Sequence, residues 1–197
     1  MEYRSFGKTG WRVSEIGLGG SWFYGRSEMG LKPVSHGVSV VQRALELGIN
    51  YFDTAPLYGK GRSEEVLGEA LRGVIEPYYL ATKVGYYPEP FNYTRDDVWR
   101  GIDASLKRLK RDHLHLLQLH ESEQAGWEGI FGKGRALEAM LEAKEQGIGL
   151  RYLLSDPRVS LVLSGVQDIA ELEASCSVSD SRHLDAGLIE AIEGMTG

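Results

Sequence analysis

Four side chains in this sequence could carry out proton-transfer chemistry together. Asp53, Lys83 and His120 each sit at the end of a short, largely apolar run: Tyr51-Phe52, Ala81-Thr82 and Gln118-Leu119. Tyr58 follows Asp53 by five positions. A tyrosine hydroxyl, with an ordinary pKa of ~10, is a poor acid or base at neutral pH. An adjacent lysine ammonium would stabilise the phenolate, and an aspartate would keep that lysine charged and oriented. A histidine could donate a hydrogen bond to a carbonyl oxygen and stabilise the alkoxide that develops as hydride arrives. None of the four can supply hydride, so this chemistry needs a nicotinamide cofactor. Taken singly, each residue has an ordinary structural explanation, such as a turn cap, a solvated strand-end charge or loop packing. Their shared placement at strand ends is what argues for a site.

The elements that would position them alternate between strand and helix. Gly7 and Gly10 bracket a tight reversal, so a β-hairpin is expected at the start. A strand over Glu15 to Gly20 follows, running into the aromatic loop Trp22-Phe23-Tyr24. A helix is expected after Pro33, with Ser35 as its N-cap and Gly48 just past its end. Strands are expected over 49–52, 78–82 and 114–119. Helices are expected over 63–71, opened by Ser63, after the cap Thr94, and near 135–146, where Gly147 stops the last of them. This rhythm specifies parallel βαβ units in an α/β fold. Gly17-Leu18-Gly19 lacks the third glycine and the immediate helix of a dinucleotide-binding Rossmann loop. A barrel is preferred to an open sheet because its strand ends converge on one mouth.

Composition narrows the class. The 197 residues are 42% hydrophobic and 25% charged, which suits one globular domain with a real core. The net charge of −6 argues against nucleic-acid and anionic-membrane partners. The basic run Lys107 to Arg111 reads as cations at a helix C-terminus. A single cysteine, Cys176, and a polar N-terminus point to a reducing, cytoplasmic location. His113 and His115 flank one strand, but no spaced His/Asp cluster suggests a metal, so a metal-dependent hydrolase has little support.

The segment Gly48-Ile49-Asn50-Tyr51-Phe52-Asp53-Thr54-Ala55-Pro56-Leu57-Tyr58-Gly59 resembles the signature of the aldo-keto reductases. Ser63-Glu64-Glu65-Val66-Leu67-Gly68-Glu69-Ala70-Leu71, Ala81-Thr82-Lys83-Val84-Gly85 and Leu117-Gln118-Leu119-His120 continue it. The wording of these motifs is most like the family's sugar dehydrogenases. The resemblance implies a (β/α)8 TIM barrel with an N-terminal β-hairpin plugging its bottom. It implies Tyr58 as proton donor, Asp53 and Lys83 as its tuning pair, and His120 as the group that positions a carbonyl. Trp22, Phe23 and Tyr24 would wall the substrate pocket. Gly20, Ser21, Asp53, Ser164, Gly165, Glu171 and Ser175 would contact the cofactor. Glu171 and Gly165 stand where the family often has cations for the adenosine 2′-phosphate, and a carboxylate there leans the choice towards NAD over NADP.

The resemblance keeps register to about Gly147 and resumes at about Leu150, where Leu150 to Val159 resembles the family's late helix and Ser160 to Val166 its last strand and cofactor loop. A barrel needs eight βα units and typically ~250 residues. About three units are therefore missing between Gly149 and Leu150, and with them half the dinucleotide site. Residues 1–149 would form the first half of the barrel, and 150–197 its last strand and C-terminal helices. The return to register without linker composition favours an omitted or deleted segment over an evolved short form. Unpaired sheet edges would promote self-association or instability. The expected function is NAD(P)-dependent interconversion of a carbonyl and an alcohol on a sugar or similar small substrate. The alternative is a catalytically silent relative that acts by binding.

Overall fold

The computed structural model describes residues 1–23, 32–75, 77–85, 93–145, 162–165 and 167–176. Its chain order begins β1 (Tyr3–Ser5), β2 (Arg12–Ser14), β3 (Ile16–Gly19), α1 (Val34–Glu46), β4 (Tyr51–Asp53), α2 (Arg62–Ala70) and β5 (Tyr79–Val84). It continues α3 (Arg95–Leu109), β6 (Leu116–Leu119), α4 (Ser122–Ile130), α5 (Ala136–Glu145), β7 (Val162–Gly165) and α6 (Ile169–Cys176). β1 and β2 form the expected antiparallel hairpin. The other five strands form one parallel sheet in the order β6-β5-β4-β3-β7. The fold is thus α/β with a parallel sheet. The strand expected over 160–166 is β7, which pairs with β3 along its whole length from Ile16↔Val162 to Gly19↔Gly165.

Strand alternation assigns the two faces of the sheet. On one face Leu18, Phe52, Leu80, Val84 and Leu117 pack with Val40, Val41, Val66, Leu67 and Ile102 of the covering helices. On the other, Tyr51, Ala81 and Leu116 form a smaller cluster with Val13, against which Phe6, Trp11 and Tyr79 pack. The hairpin therefore covers the N-terminal end of this second face, with the Trp11 and Tyr79 rings stacked 4.7 Å apart. The C-terminal end of the same face carries Asp53 and Lys83.

Two helix starts differ from the sequence expectation. Ser35 is the second residue of α1, whose N-cap is Pro33 without a side-chain cap. The fixed φ of proline starts the helix, and the hydroxyl expected to cap it is not needed. Ser63 likewise lies inside α2, which opens at Gly61 with φ 92; the Ser63 hydroxyl instead pairs with Thr54 Oγ1 at 2.6 Å. Thr94 does cap α3, accepting from Asp97 N at 3.3 Å. The late helix expected at Leu150 to Val159 and the stop at Gly147 lie outside the described residues. Helix α4 was not expected, and Gly126, at a positive φ that glycine adopts readily (φ 61, ψ 175), interrupts it.

Helices α2 and α3 meet backbone to backbone at Gly68. A Cβ there would lie 2.3 Å from Arg108 O and 2.9 Å from Leu109 Cα. Alanine would gain about 0.5–1 kcal/mol of helix preference, but overpacking against backbone costs about 1–3 kcal/mol. Gly68→Ala is therefore expected to lower stability in urea denaturation. An unchanged or raised midpoint would show that the helices can part without cost.

Candidate active site

The site is built on the C-terminal ends of β4, β5 and β6. Asp53 ends β4, and Lys83 lies one residue before the end of β5. Their side chains project from the same face, and both are almost fully buried. The Lys83 ammonium donates to Asp53 Oδ1 and, at 2.8 Å, to Thr54 O. The same ammonium lies 4.8 Å from the centroid of the Tyr58 ring, within the range of cation–π attraction. Tyr58 and His120 meet edge to face, with ring centroids 5.7 Å apart and planes at 88°. The four residues singled out in the sequence are therefore brought together.

Local structure explains these positions. Tyr58 rides on the loop between β4 and α2, which is closed by Ser63 N donating to Tyr58 O and by the Thr54–Ser63 hydroxyl pair. His120 follows β6 directly, its N–H donating to Val84 O at 2.9 Å. Glu121 then turns the chain in the left-handed region, at φ 49. The buried Tyr93 hydroxyl reaches the carbonyl oxygens of His120 and Glu121, both at 2.8 Å, and so fixes that turn. Gly85 makes room for it, since a Cβ there would lie 2.3 Å from the Tyr93 ring.

The electrostatics differ from group to group. Burial pushes the Asp53 carboxyl above its ordinary range, and the Lys83 ammonium and the Gln118 amide pull it back. Burial, with a further contribution from Asp53, pushes the Tyr51 phenol well above its usual value, so it stays protonated. Burial, helped by the charge on Lys83, lowers His120 to about 4. The imidazole is therefore neutral near pH 7, a state in which one ring nitrogen can donate a hydrogen bond.

The remaining expected site residues fall into three groups. Gly20 follows β3 directly; its N–H donates to Asp53 O at 2.7 Å, and a Cβ would meet Ser63 Oγ at 2.4 Å. Ser21 is half-buried in the same turn. Ser164 and Gly165 lie on β7, where Gly165 pairs with Gly19, which in turn pairs with Asp53. Glu171 lies in the first turn of α6 and accepts from Gln167 N at 2.8 Å, while Asp168 accepts from Glu171 N. Ser175 lies in α6.

The aromatic loop corrects one expectation. Phe23 is fully buried and belongs to the core, so it does not wall a substrate pocket. It fills the space left by two glycines: a Cβ on Gly20 would lie 3.2 Å from its ring and one on Gly37 would lie 3.3 Å away. Trp22 remains partly exposed at 38%, and Tyr24 lies outside the described residues. Sequence reasoning missed Gln118, whose amide donates to Asp53 Oδ2 at 3.3 Å. The available signal was its place two residues before His120, on the same face of β6. Among the described residues, no three His, Cys, Asp or Glu side chains converge as metal ligands. No described helix is long and apolar enough to cross a membrane.

Comparison with known proteins decides the family. Residues 15–147 match the Aldo/keto reductase family. The chain belongs to that family. It is 36% identical over 195 residues to L-galactose dehydrogenase of Arabidopsis thaliana, covering 94% of this chain and 60% of that protein. The holo form of an aldo-keto reductase from Bacillus halodurans superposes with a TM-score of 0.63 at 31% identity, over 75% of this chain and 48% of that one. An aldo-keto reductase from Klebsiella pneumoniae in complex with NADPH gives 0.56 at 28% identity, over 74% and 46%. The chain thus spans about 60% of the length of the plant relative and about half of these solved structures.

The buried His120 and the partly buried His115 yield a pH prediction. His120 and His115 both titrate near 6.5 when unfolded but near 4 in the folded protein, His115 chiefly through burial, with His113 and Arg111 adding to it. Between those values the unfolded chain binds more protons, so stability should fall as pH drops from about 6.5 to about 4, with no further loss from these groups below. NMR titration of the imidazole Cε1–H signals tests this. Midpoints near 6.5 for both residues in the folded protein would contradict it.

Proposed function

We propose that this chain carries the proton-transfer centre of a nicotinamide-dependent oxidoreductase that interconverts a carbonyl and an alcohol, on a sugar or a similarly small polar substrate. The observation that carries this reading is the Lys83 ammonium held between the Asp53 carboxylate and the Tyr58 ring, with His120 against the other edge of that ring. Tyr58 transfers the proton to or from the substrate oxygen. Lys83 stabilises the phenolate that proton donation leaves behind, and Asp53 holds Lys83 charged. His120, neutral near pH 7, donates a hydrogen bond to the same oxygen as negative charge builds on it.

The dinucleotide, when bound, supplies or accepts the hydride. Its expected contacts fit one feature of the sheet: Asp53, Gly19 and Gly165 sit side by side on β4, β3 and β7. Gly20, which follows Gly19, donates its N–H to Asp53 O and so joins that row. The resemblance to L-galactose dehydrogenase supports a sugar as substrate. The lean towards NAD rests on the Glu171 carboxylate alone, which accepts from Gln167 N at the start of α6, and the relatives do not support it. The cofactor is NAD or NADP, and the Klebsiella pneumoniae relative was solved with NADPH. In this reading residues 1–149 are the first half of a barrel, 150–197 are its last strand and terminal helices, and about three βα units are missing between them.

Tyr58→Phe tests the assignment. Dinucleotide-linked turnover is expected to fall by roughly 10²–10⁴-fold, with dinucleotide affinity, followed by nicotinamide fluorescence, unchanged. Turnover near that of the unsubstituted protein would remove Tyr58 as the acid. Dinucleotide binding without turnover in the unsubstituted protein would decide for a silent relative.

A further inference from the structure

Gln118 is an uncharged side chain that contacts the buried Asp53–Lys83 pair from a third strand. It pairs in register with Lys83 across β5 and β6, and its Nε2 lies 3.3 Å from Asp53 Oδ2. The carboxylate can only accept, so the amide must turn its nitrogen towards Asp53. The two oxygens of Asp53 are then divided: Oδ1 takes the Lys83 ammonium and Oδ2 the Gln118 amide. A carboxylate held at both oxygens cannot rotate about its terminal torsion without losing a bond in a buried place, where an unmade hydrogen bond is costly.

We propose that Gln118 is a positioning residue that keeps Asp53 ionised and aimed at Lys83. The inference rests on the reading of Asp53, Lys83 and Tyr58 as the proton-transfer centre. Gln118 acts through Asp53, to which its amide donates. The groups facing that carboxylate are the Lys83 ammonium from β5, the Gln118 amide from β6, and the Tyr51 phenol from two residues earlier on β4. Burial favours the neutral acid, and only the ammonium and the amide oppose it. Removing the amide leaves Lys83 alone to do so. Protonating Asp53 would then free the Lys83 ammonium from its fixed place beneath Tyr58.

Two substitutions separate this role from packing. Gln118→Met keeps the length of the side chain and removes the donor; Gln118→Glu keeps the shape and places a second carboxyl beside Asp53. The Asp53 carboxyl can be followed directly by ¹³C NMR titration of aspartate-labelled protein, with no need for turnover. Its titration should move to higher pH in Gln118→Met and further in Gln118→Glu. The acid limb of kcat/KM should move in the same direction, with turnover on its acid side down about tenfold in Gln118→Met. Turnover on the alkaline plateau and KM should stay near those of the unsubstituted protein. An Asp53 titration unmoved in both variants would overturn the inference. So would a uniform loss of turnover at all pH values with no shift of the limb, which is the mark of a packing role. If Asp53 shifts while the unsubstituted protein shows no turnover, the role of Gln118 stands and the proposed function fails.

Discussion

Burying an ammonium and a carboxylate side by side is the constraint on which the rest of this structure depends. Taking two charges out of water costs several kcal/mol per ion, and their attraction offsets this only when the geometry is good and the remaining polar atoms find partners. At Lys83 and Asp53 those conditions are met by the parallel register of three strands. Asp53 pairs with Ala81, so Lys83 lies two residues further along β5 and must reach back across the sheet. Thr54 N donates to Ala81 O, which holds the chain beyond β4 against β5 and aims Thr54 O at the ammonium. Gln118, opposite Lys83 on β6, takes the last carboxylate oxygen. A slip of one residue between any two of these strands would turn one partner to the helix-covered face and leave a bare charge inside.

The opposite face of β5 is held as firmly, by different chemistry. Thr82, next to Lys83, points towards the helices and donates to Glu64 Oε1 at 2.6 Å. Glu64 is completely buried, and its other oxygen accepts from Arg108 Nε at 2.6 Å. One carboxylate thus joins β5, α2 and α3. Because α2 begins just after the loop that carries Tyr58, anchoring Glu64 also fixes where that loop ends. The close approach at Gly68 brings α2 near enough to α3 for Arg108 to reach Glu64. The face that carries Asp53 and Lys83 and the face that packs on the helices are therefore not independent, since each pins the strand that carries Lys83.

What the sequence revealed follows from which signals are local. Asp53, Lys83 and His120 were visible because each interrupts an apolar run at the end of a strand, and the alternation of strand and helix marked those runs. Gln118 was not visible, because within Leu116-Leu117-Gln118-Leu119 a single polar residue looks like tolerance at a strand end; its partner lies 65 positions away. The helix starts at Ser35 and Ser63 were misread for a similar reason. A serine near a helix start suggests a cap, but Pro33 and Gly61 had already set the backbone, and the Ser63 hydroxyl was needed to close the Tyr58 loop. Phe23 read as a pocket wall because neighbouring aromatics suggest a binding loop. Two glycines distant from each other in sequence, Gly20 and Gly37, open the space that draws it into the core. For Gln118 and for Gly37 the deciding contact is non-local, whereas Pro33 and Gly61 act two residues before the serines they displace as caps.

The same distinction separates the two parts of the chemistry. The side-chain contacts among Asp53, Tyr58, Lys83, Gln118 and His120 all fall within residues 53–120, on three neighbouring strands and the segments that follow them. The expected dinucleotide edge instead requires β7 to return and pair with β3, across nearly the whole chain. Contacts between such distant segments require closing a long loop before they contribute, so the two parts differ in what sustains them. The Asp53–Lys83 pair draws its hydrogen bonds from the C-terminal ends of β4, β5 and β6, whereas the edge beyond β3 depends on a pairing that spans nearly the whole chain. A disturbance of that distant pairing would therefore be passed to the pair through β3 and β4, the strands that lie between them.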